Sequence, residues 1–146
     1  MQKATCAVLA ALAILAVAGC KDSTTGPSAQ GLQGSWRATK AEFTSVANPS
    51  TKVDIVAQGS TVTLVLAAST FTLTITDQGQ SPKVTAGSWT SSMDTMTLKP
   101  SGVSFDWTFD MNQSGNTLTL SGANVNFDFG ADGTMEEAKL NMVLTR

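Results

Sequence analysis

From residue 103 to residue 111 the chain alternates strictly: Val103, Phe105, Trp107, Phe109 and Met111 interleave with Ser104, Asp106, Thr108 and Asp110. A period of two places one set on one face of an extended strand and the other set on the opposite face, a pattern that no helix produces. A strand this one-sided has to lie against a core, and the chain is thereby committed to a sheet with one buried face. The period recurs on both sides of this run. Val62, Leu64 and Leu66 alternate with Thr61, Thr63 and Val65, and Phe71, Leu73 and Ile75 alternate with threonines from Thr70 to Thr76. Weaker runs follow in Val84 to Trp89, in Met96 and Leu98, and in Leu118 and Leu120, then in Val125, Phe127 and Phe129 and finally in Leu140, Met142 and Leu144. Turn-forming stretches separate them: Asp77-Gln78-Gly79-Gln80, Lys99-Pro100-Ser101-Gly102, Asn112-Gln113-Ser114-Gly115 and the tight-turn pair Asp132-Gly133.

About eight or nine short strands result, and no helical pattern is long enough to supply a parallel crossover. The expected class is therefore all-β, an antiparallel meander that either closes into an up-and-down barrel or folds into a β-sandwich. Closure is preferred, because a chain rich in threonine and valine is prone to edge-to-edge pairing and a closed sheet has no edges.

Composition removes several chemistries. The chain contains no histidine and no tyrosine, which takes away the commonest general base, the commonest metal ligand and the phenolic acid. No nucleophile with a histidine base is possible, and no Ser-x-x-Lys occurs after residue 19. Asp128-Phe129-Gly130 stands alone, without the glycine-rich and catalytic loops that give that tripeptide meaning in kinases. Asp128, Asp132, Glu136 and Glu137 offer oxygens for calcium but lack the spacing of an EF-hand loop, and a solvated hairpin is the expectation there. No enzymatic activity, cofactor or metal is expected. Lysine and arginine are scattered singly, and a chain of formal charge −2 has no footprint for a phosphate backbone, so nucleic acid is excluded as a partner.

The N-terminus carries a different signal. Lys3 precedes fifteen apolar or small residues from Ala4 to Ala18, with a small pair, Ala18-Gly19, before Cys20. That is the layout of a signal peptide, and it is shorter than the roughly 20 residues of a membrane-spanning helix. Cleavage after Gly19 removes Lys3 and leaves eight basic and eleven acidic side chains, a net charge of −3. It also leaves Cys20 as the sole thiol, since Cys6 lies in the leader, so no intrachain disulfide is expected. The expected organisation is a signal over 1–19, a lipidated cysteine and flexible tether over 20–31, and a barrel domain over 32–146.

Two resemblances refine this. Val17-Ala18-Gly19-Cys20 resembles a lipobox, which implies that Cys20 carries acyl chains and ties the protein to a membrane of the cell envelope. Gly34-Ser35-Trp36, followed by Ala86-Gly87-Ser88-Trp89, by Ser114-Gly115-Asn116-Thr117-Leu118 and by a closing Leu144-Thr145-Arg146, resembles small bacterial lipocalin-like lipoproteins. The resemblance implies that Gly34, Trp36 and Arg146 form a structural motif, with Trp36 plugging a closed end. It further implies that Arg146, or else Arg37, stacks on the indole. Apart from the resemblance, the aromatic face of Phe105, Trp107 and Phe109, with Phe71, Phe127 and Phe129, is the one feature that could line a pocket for a small hydrophobic ligand. Eight strands enclose a space that side chains alone can fill or that holds one small ligand, and the sequence leaves both open. The expected function is a monomeric, membrane-anchored, non-enzymatic binding barrel. Its alternative is a solid-core structural or protein-interaction module.

Overall fold

The computed structural model describes residues 28–146. The segment expected to be a signal peptide, Cys20 and most of the expected tether lie outside the described residues. A single helical turn, α1 (Ala29–Leu32), precedes nine strands: β1 (Gly34–Ser45), β2 (Lys52–Asp54), β3 (Thr61–Leu66), β4 (Thr70–Thr76), β5 (Lys83–Ser92), β6 (Thr95–Pro100), β7 (Trp107–Ser114), β8 (Thr117–Phe127) and β9 (Glu136–Thr145). Each pairs antiparallel with its neighbours, and β9 returns to β1, so that β1 and β3 to β9 close an eight-stranded barrel. β2 adds a short outer strand against the end of β1. The barrel, not the sandwich, is the architecture.

Register distinguishes the two ends. Gly34 faces Leu66 and Arg37 faces Thr145, so the start of β1 meets the ends of β3 and β9; Ser45 faces Ala138 at the opposite rim. The first end is closed. There Leu32 of α1 is fully buried, Ser28 Oγ accepts the Gly31 amide as its N-cap, and the Leu32 carbonyl accepts the Trp36 indole N–H at 2.8 Å. The first three residues of α1, Ala29 to Gly31, fall inside the segment read from sequence as tether. The Arg146 guanidinium lies 4.4 Å from the Trp36 ring centroid and donates to the Gln33 carbonyl, while its backbone N–H donates to Asn116. That stacking is the contact expected of the last strand, and Arg37 takes no part in it. Gly34, at φ +132°, is the residue that lets the chain turn from the plug into β1.

Two bulges bend the long strands. In β1 the buried face switches from Trp36 and Ala38 to Ala41, Phe43 and Ser45, because Thr39 is an extra residue opposite β9. In β8 the switch runs from Leu118 and Leu120 to Ala123 and Val125 across Ser121-Gly122, with Gly122 at φ +86° and its amide donating to Asn141 Oδ1. The runs around Leu118 and Val125, read from sequence as separate strands, are thus one bent strand.

A second correction concerns the run from Val103. β7 starts only at Trp107, because its ladder with β6 covers Thr95 to Leu98 and leaves the preceding residues no partner. Gly102, at φ +82°, turns the chain away after Pro100, and Val103 and Phe105 are left 37% and 38% exposed.

Toward its closed end the barrel is solid. Trp36, Leu64, Leu66, Phe71, Met96, Leu98, Phe109, Leu118, Leu120, Met142 and Leu144 are all buried to 2% exposure or less. Close packing extends to the backbone at Gly87, paired with Pro100, where a Cβ would stand 2.0 Å from the Lys99 carbonyl oxygen. A contact to backbone cannot be relieved by a rotamer change, so Gly87→Ala is expected to cost at least about 2 kcal/mol. A urea titration checks this; an unchanged midpoint means that β5 and β6 are spaced more widely than described.

Candidate functional site

The opposite end is open. Four connections surround it: residues 46–60, which carry β2, and residues 77–82, 101–106 and 128–135. The first folds part-way over the opening, held by one carboxylate: Asp54 Oδ1 accepts the amides of Ala41 and Val56 at 3.1 Å and of Ala57 at 3.4 Å. Ile55, whose own amide donates to the Ala41 carbonyl, is thereby buried over the mouth.

Beneath it lies a cavity of about 300 Å³. Its wall is built strand by strand: Phe43 from β1, Leu73 and Ile75 from β4, Thr85 from β5, Trp107 from β7, Val125 to Phe127 from β8 and Leu140 from β9. Phe43 stacks on Phe127 with centroids 4.1 Å apart, and Phe129 meets Phe127 edge-on at 4.9 Å. A second depression, of about 480 Å³, adjoins it and shares Ile55, Asp77, Lys83, Asn126, Phe127 and Met135, adding Phe129 and Asp128. The size is at the lower end of the range for small-molecule sites, and the mix of apolar wall and few polar groups is typical of them.

Of the six aromatic residues proposed from sequence, the structure brings three to this mouth: Trp107, Phe127 and Phe129. Phe71 and Phe109 are buried within the solid part of the barrel. Phe105 lies in the 101–106 connection and lines an outer groove with Val46 and Asp106. Sequence reasoning missed Phe43, Ile55 and Leu140 as pocket residues. Their signal was partly present, since Leu140 belongs to a clean alternating run, but Phe43 lies beyond the phase switch at Thr39.

An ion pair stands beside the cavity. Lys83 Nζ is 2.9 Å from Asp77 Oδ2, and Ser60 Oγ donates to Asp77 Oδ1 at 2.8 Å. The hydrogen bond from Lys83, seconded by that from Ser60, holds the Asp77 carboxyl below its ordinary value near 3.8. A folded pKa below the unfolded one means that the cluster adds stability above pH 3.8 and that this is lost as pH falls through the depressed value. At this rim exposure the effect is under about 1 kcal/mol. Asp77→Asn is expected to lower the urea midpoint at neutral pH, and the deficit to vanish in strong acid; a deficit independent of pH means that Asp77 acts by packing alone.

The carboxylates of the acidic connection accept backbone amides of their own segment. Asp128 Oδ1 and Oδ2 accept the amides of Asp132 and Gly133, Asp132 Oδ1 accepts that of Thr134, and Glu136 Oε2 accepts that of Phe129. These carboxylates cap their own turn, which contains Ala131 at φ +52° and Gly133 at φ +87°. Among the described residues no three acidic or cysteine side chains converge as a metal site.

Apolar side chains also gather outside the opening. Val46, Val84, Val103, Phe105 and Met135, between 37% and 65% exposed, all stand at the mouth end. Structurally the chain is a closed eight-stranded antiparallel barrel, solid at one end and hollow at the other. Comparison with protein-family models finds no match, and comparisons with curated proteins and with solved structures find none either.

Proposed function

We propose that this protein is a lipid-anchored, non-enzymatic barrel of the lipocalin-like kind that holds one small apolar molecule in its open end. The observation that carries the reading is the apolar cavity of about 300 Å³ above a solid core. A barrel serving only as a rigid body gains by filling that space, since an apolar void forfeits dispersion contacts on its lining. The anchor fits the same picture. Cys20 precedes Ser28 by eight residues, and Ser28 caps the plug of the closed end. A lipid on Cys20 is thus joined to the end opposite the mouth, which leaves the pocket accessible in the cell envelope.

The test uses the chain from residue 21 onward, which contains the whole closed sheet, its plug and its final residue. Titration with the neutral apolar fluorophore N-phenyl-1-naphthylamine is expected to saturate at one site. Ile75→Trp, which fills the cavity from β4, is expected to weaken binding at least about tenfold while the barrel stays folded. Absence of saturable binding, or equal binding by the filled variant, rejects the reading. A second reading, a protein-interaction module, is favoured by the exposed apolar side chains around the mouth, which are more concentrated there than scattered surface residues need be.

A further inference from the structure

The barrel wall is not laddered along its whole height. β7 pairs with β8 from Ser114 and Thr117 to Asp110 and Ser121, and there the ladder stops, at the bulge of Ser121-Gly122. From Ala123 to Phe127, β8 pairs with β9 alone. The direction of its free backbone groups follows from β9. The Glu137 carbonyl accepts the Val46 amide at 3.0 Å, so the main chain of Glu137 is turned toward the β1 side. Residues opposite one another in an antiparallel pair exchange both bonds or neither, and the two kinds of pair alternate. Asn126, opposite Glu137, and Asn124, opposite Lys139, therefore make no ladder bonds to β9, and their N–H and C=O groups point to the β7 side, beyond the last rung of that ladder. Among the described residues no backbone hydrogen bond joins them to the 101–106 connection.

A groove of about 410 Å³ runs along this edge. On β9 it touches the alternate, outward residues Glu137 and Lys139, but on β8 it touches three in succession, Asn124, Val125 and Asn126, although Val125 is buried and also lines the inner cavity. Successive side chains of a strand face opposite ways, so a groove that meets three in a row reaches the main chain. Phe105 and Asp106 form the opposite bank, and Val46 joins from the end of β1. Unpaired main-chain groups on an accessible edge are a template for another strand. The side chains narrow which strand fits. Val46 and Phe105 are exposed and offer apolar contact. Asp106 is engaged by Lys99 at 3.2 Å and Lys139 donates to the Gly122 carbonyl, whereas Glu137 makes no ion pair among the described residues.

We infer that this edge takes an extended segment of a partner protein, alternating basic and apolar residues, which pairs with Asn124 and Asn126 of β8 and lays its side chains against Val46, Phe105 and Glu137. The site is on the outside of the wall, so the chain gains a protein partner besides the molecule proposed for the mouth, and neither depends on the other.

The chain from residue 21 onward, labelled with ¹⁵N, is titrated with a short peptide of alternating lysine and valine, acetylated and amidated at its ends. In the free domain the Asn124 and Asn126 amides are expected to exchange with solvent at least about a hundredfold faster than those of Ala123 and Val125, which bond to β9. The peptide is expected to slow those two exchanges and to move both resonances downfield. The same peptide N-methylated throughout keeps its side chains and loses its donors, and is expected to bind at least about tenfold more weakly. Asn126→Pro removes a donor from the edge and none from the ladder with β9, and is expected to weaken the peptide about fivefold; the peptide comparison stands without it. If both amides are already protected in the free monomer, the edge is covered and the inference is overturned. If they are protected only in a dimer that forms at high concentration, a second copy is the occupant and the partner is overturned. Binding that leaves Asn124 and Asn126 unshifted, no binding at millimolar peptide, or equal binding by the N-methylated peptide overturns the strand pairing. A glutamate and valine peptide that binds as tightly as the lysine and valine one overturns the basic character of the partner.

Discussion

Trp36→Ala is expected to destabilise the domain by about 3 to 5 kcal/mol, the range for truncating a large buried aromatic side chain. Three separate losses meet at that residue. The indole is fully buried at the closed end, so its removal leaves a cavity that strands held by ladders on both sides cannot collapse to fill. Its N–H is the group that ties the Leu32 carbonyl to β1, and the plug α1 is a single turn with little hold of its own. The ring is also the surface on which Arg146 rests, 4.4 Å from its centroid. Arg146→Ala isolates that last part: a guanidinium over an indole contributes roughly 0.5 to 2 kcal/mol, and Arg146 is exposed, which puts the effect at the lower end. Urea midpoints of the two variants separate packing from the cation contact. A Trp36→Ala midpoint equal to wild type overturns the burial of this ring, and with it the closed end as the stable part of the barrel.

The fold was legible because its strongest signal is local. Alternation from Val62 to Leu66, from Phe71 to Ile75 and from Leu140 to Leu144 needs no knowledge of partners, and each run became a strand with the expected face inward. The same rule failed where a partner decides the outcome. Val103 and Phe105 continue the alternation of Trp107 and Phe109, but β6 offers no ladder to them, so the pattern runs on past the end of the strand. At Thr39 and at Ser121-Gly122 the failure is one of phase. A bulge inserts an unpaired residue, the inward set changes parity, and a strict two-residue reading then assigns Phe43 to the wrong face or splits β8 in two.

The pocket was half legible for a related reason. Aromatic residues on one inner face were visible, but height along the barrel axis was not, and height separates a core side chain from a lining one. Phe109 and Trp107 share a face two residues apart; the first is sealed between layers and the second reaches the open end. Ile55 was beyond reach altogether, since it covers the mouth through three backbone amides gathered by Asp54 and not through any periodicity. The open edge of β8 from Ala123 to Phe127 is a property of the assembled wall, and no sequence pattern carries it.

Cys20→Ser is expected to have the largest effect of any single change, the transfer of essentially all of the protein from the membrane fraction to the soluble one or to an unprocessed precursor. The expectation rests on the proposed lipidation of Cys20, which lies outside the described residues. Each buried methylene contributes about 0.8 kcal/mol to membrane attachment, and one acyl chain holds only marginally, whereas several chains on one cysteine hold firmly. Serine has the same size but cannot form the thioether, so the substitution removes attachment without touching the barrel, whose plug begins eight residues later at Ser28. Two readouts are needed together. Incorporation of a labelled fatty acid into the wild type and its loss in Cys20→Ser establishes the covalent lipid. A wild-type urea midpoint and one-site binding of N-phenyl-1-naphthylamine by the released domain show that anchor and pocket are independent. If the wild type takes up no lipid, the anchor is rejected and the leader is an ordinary export signal. If it takes up lipid but the released domain no longer binds the fluorophore, the mouth needs the membrane to keep its form, and the separation of closed end from open end fails as an account of how the two work together.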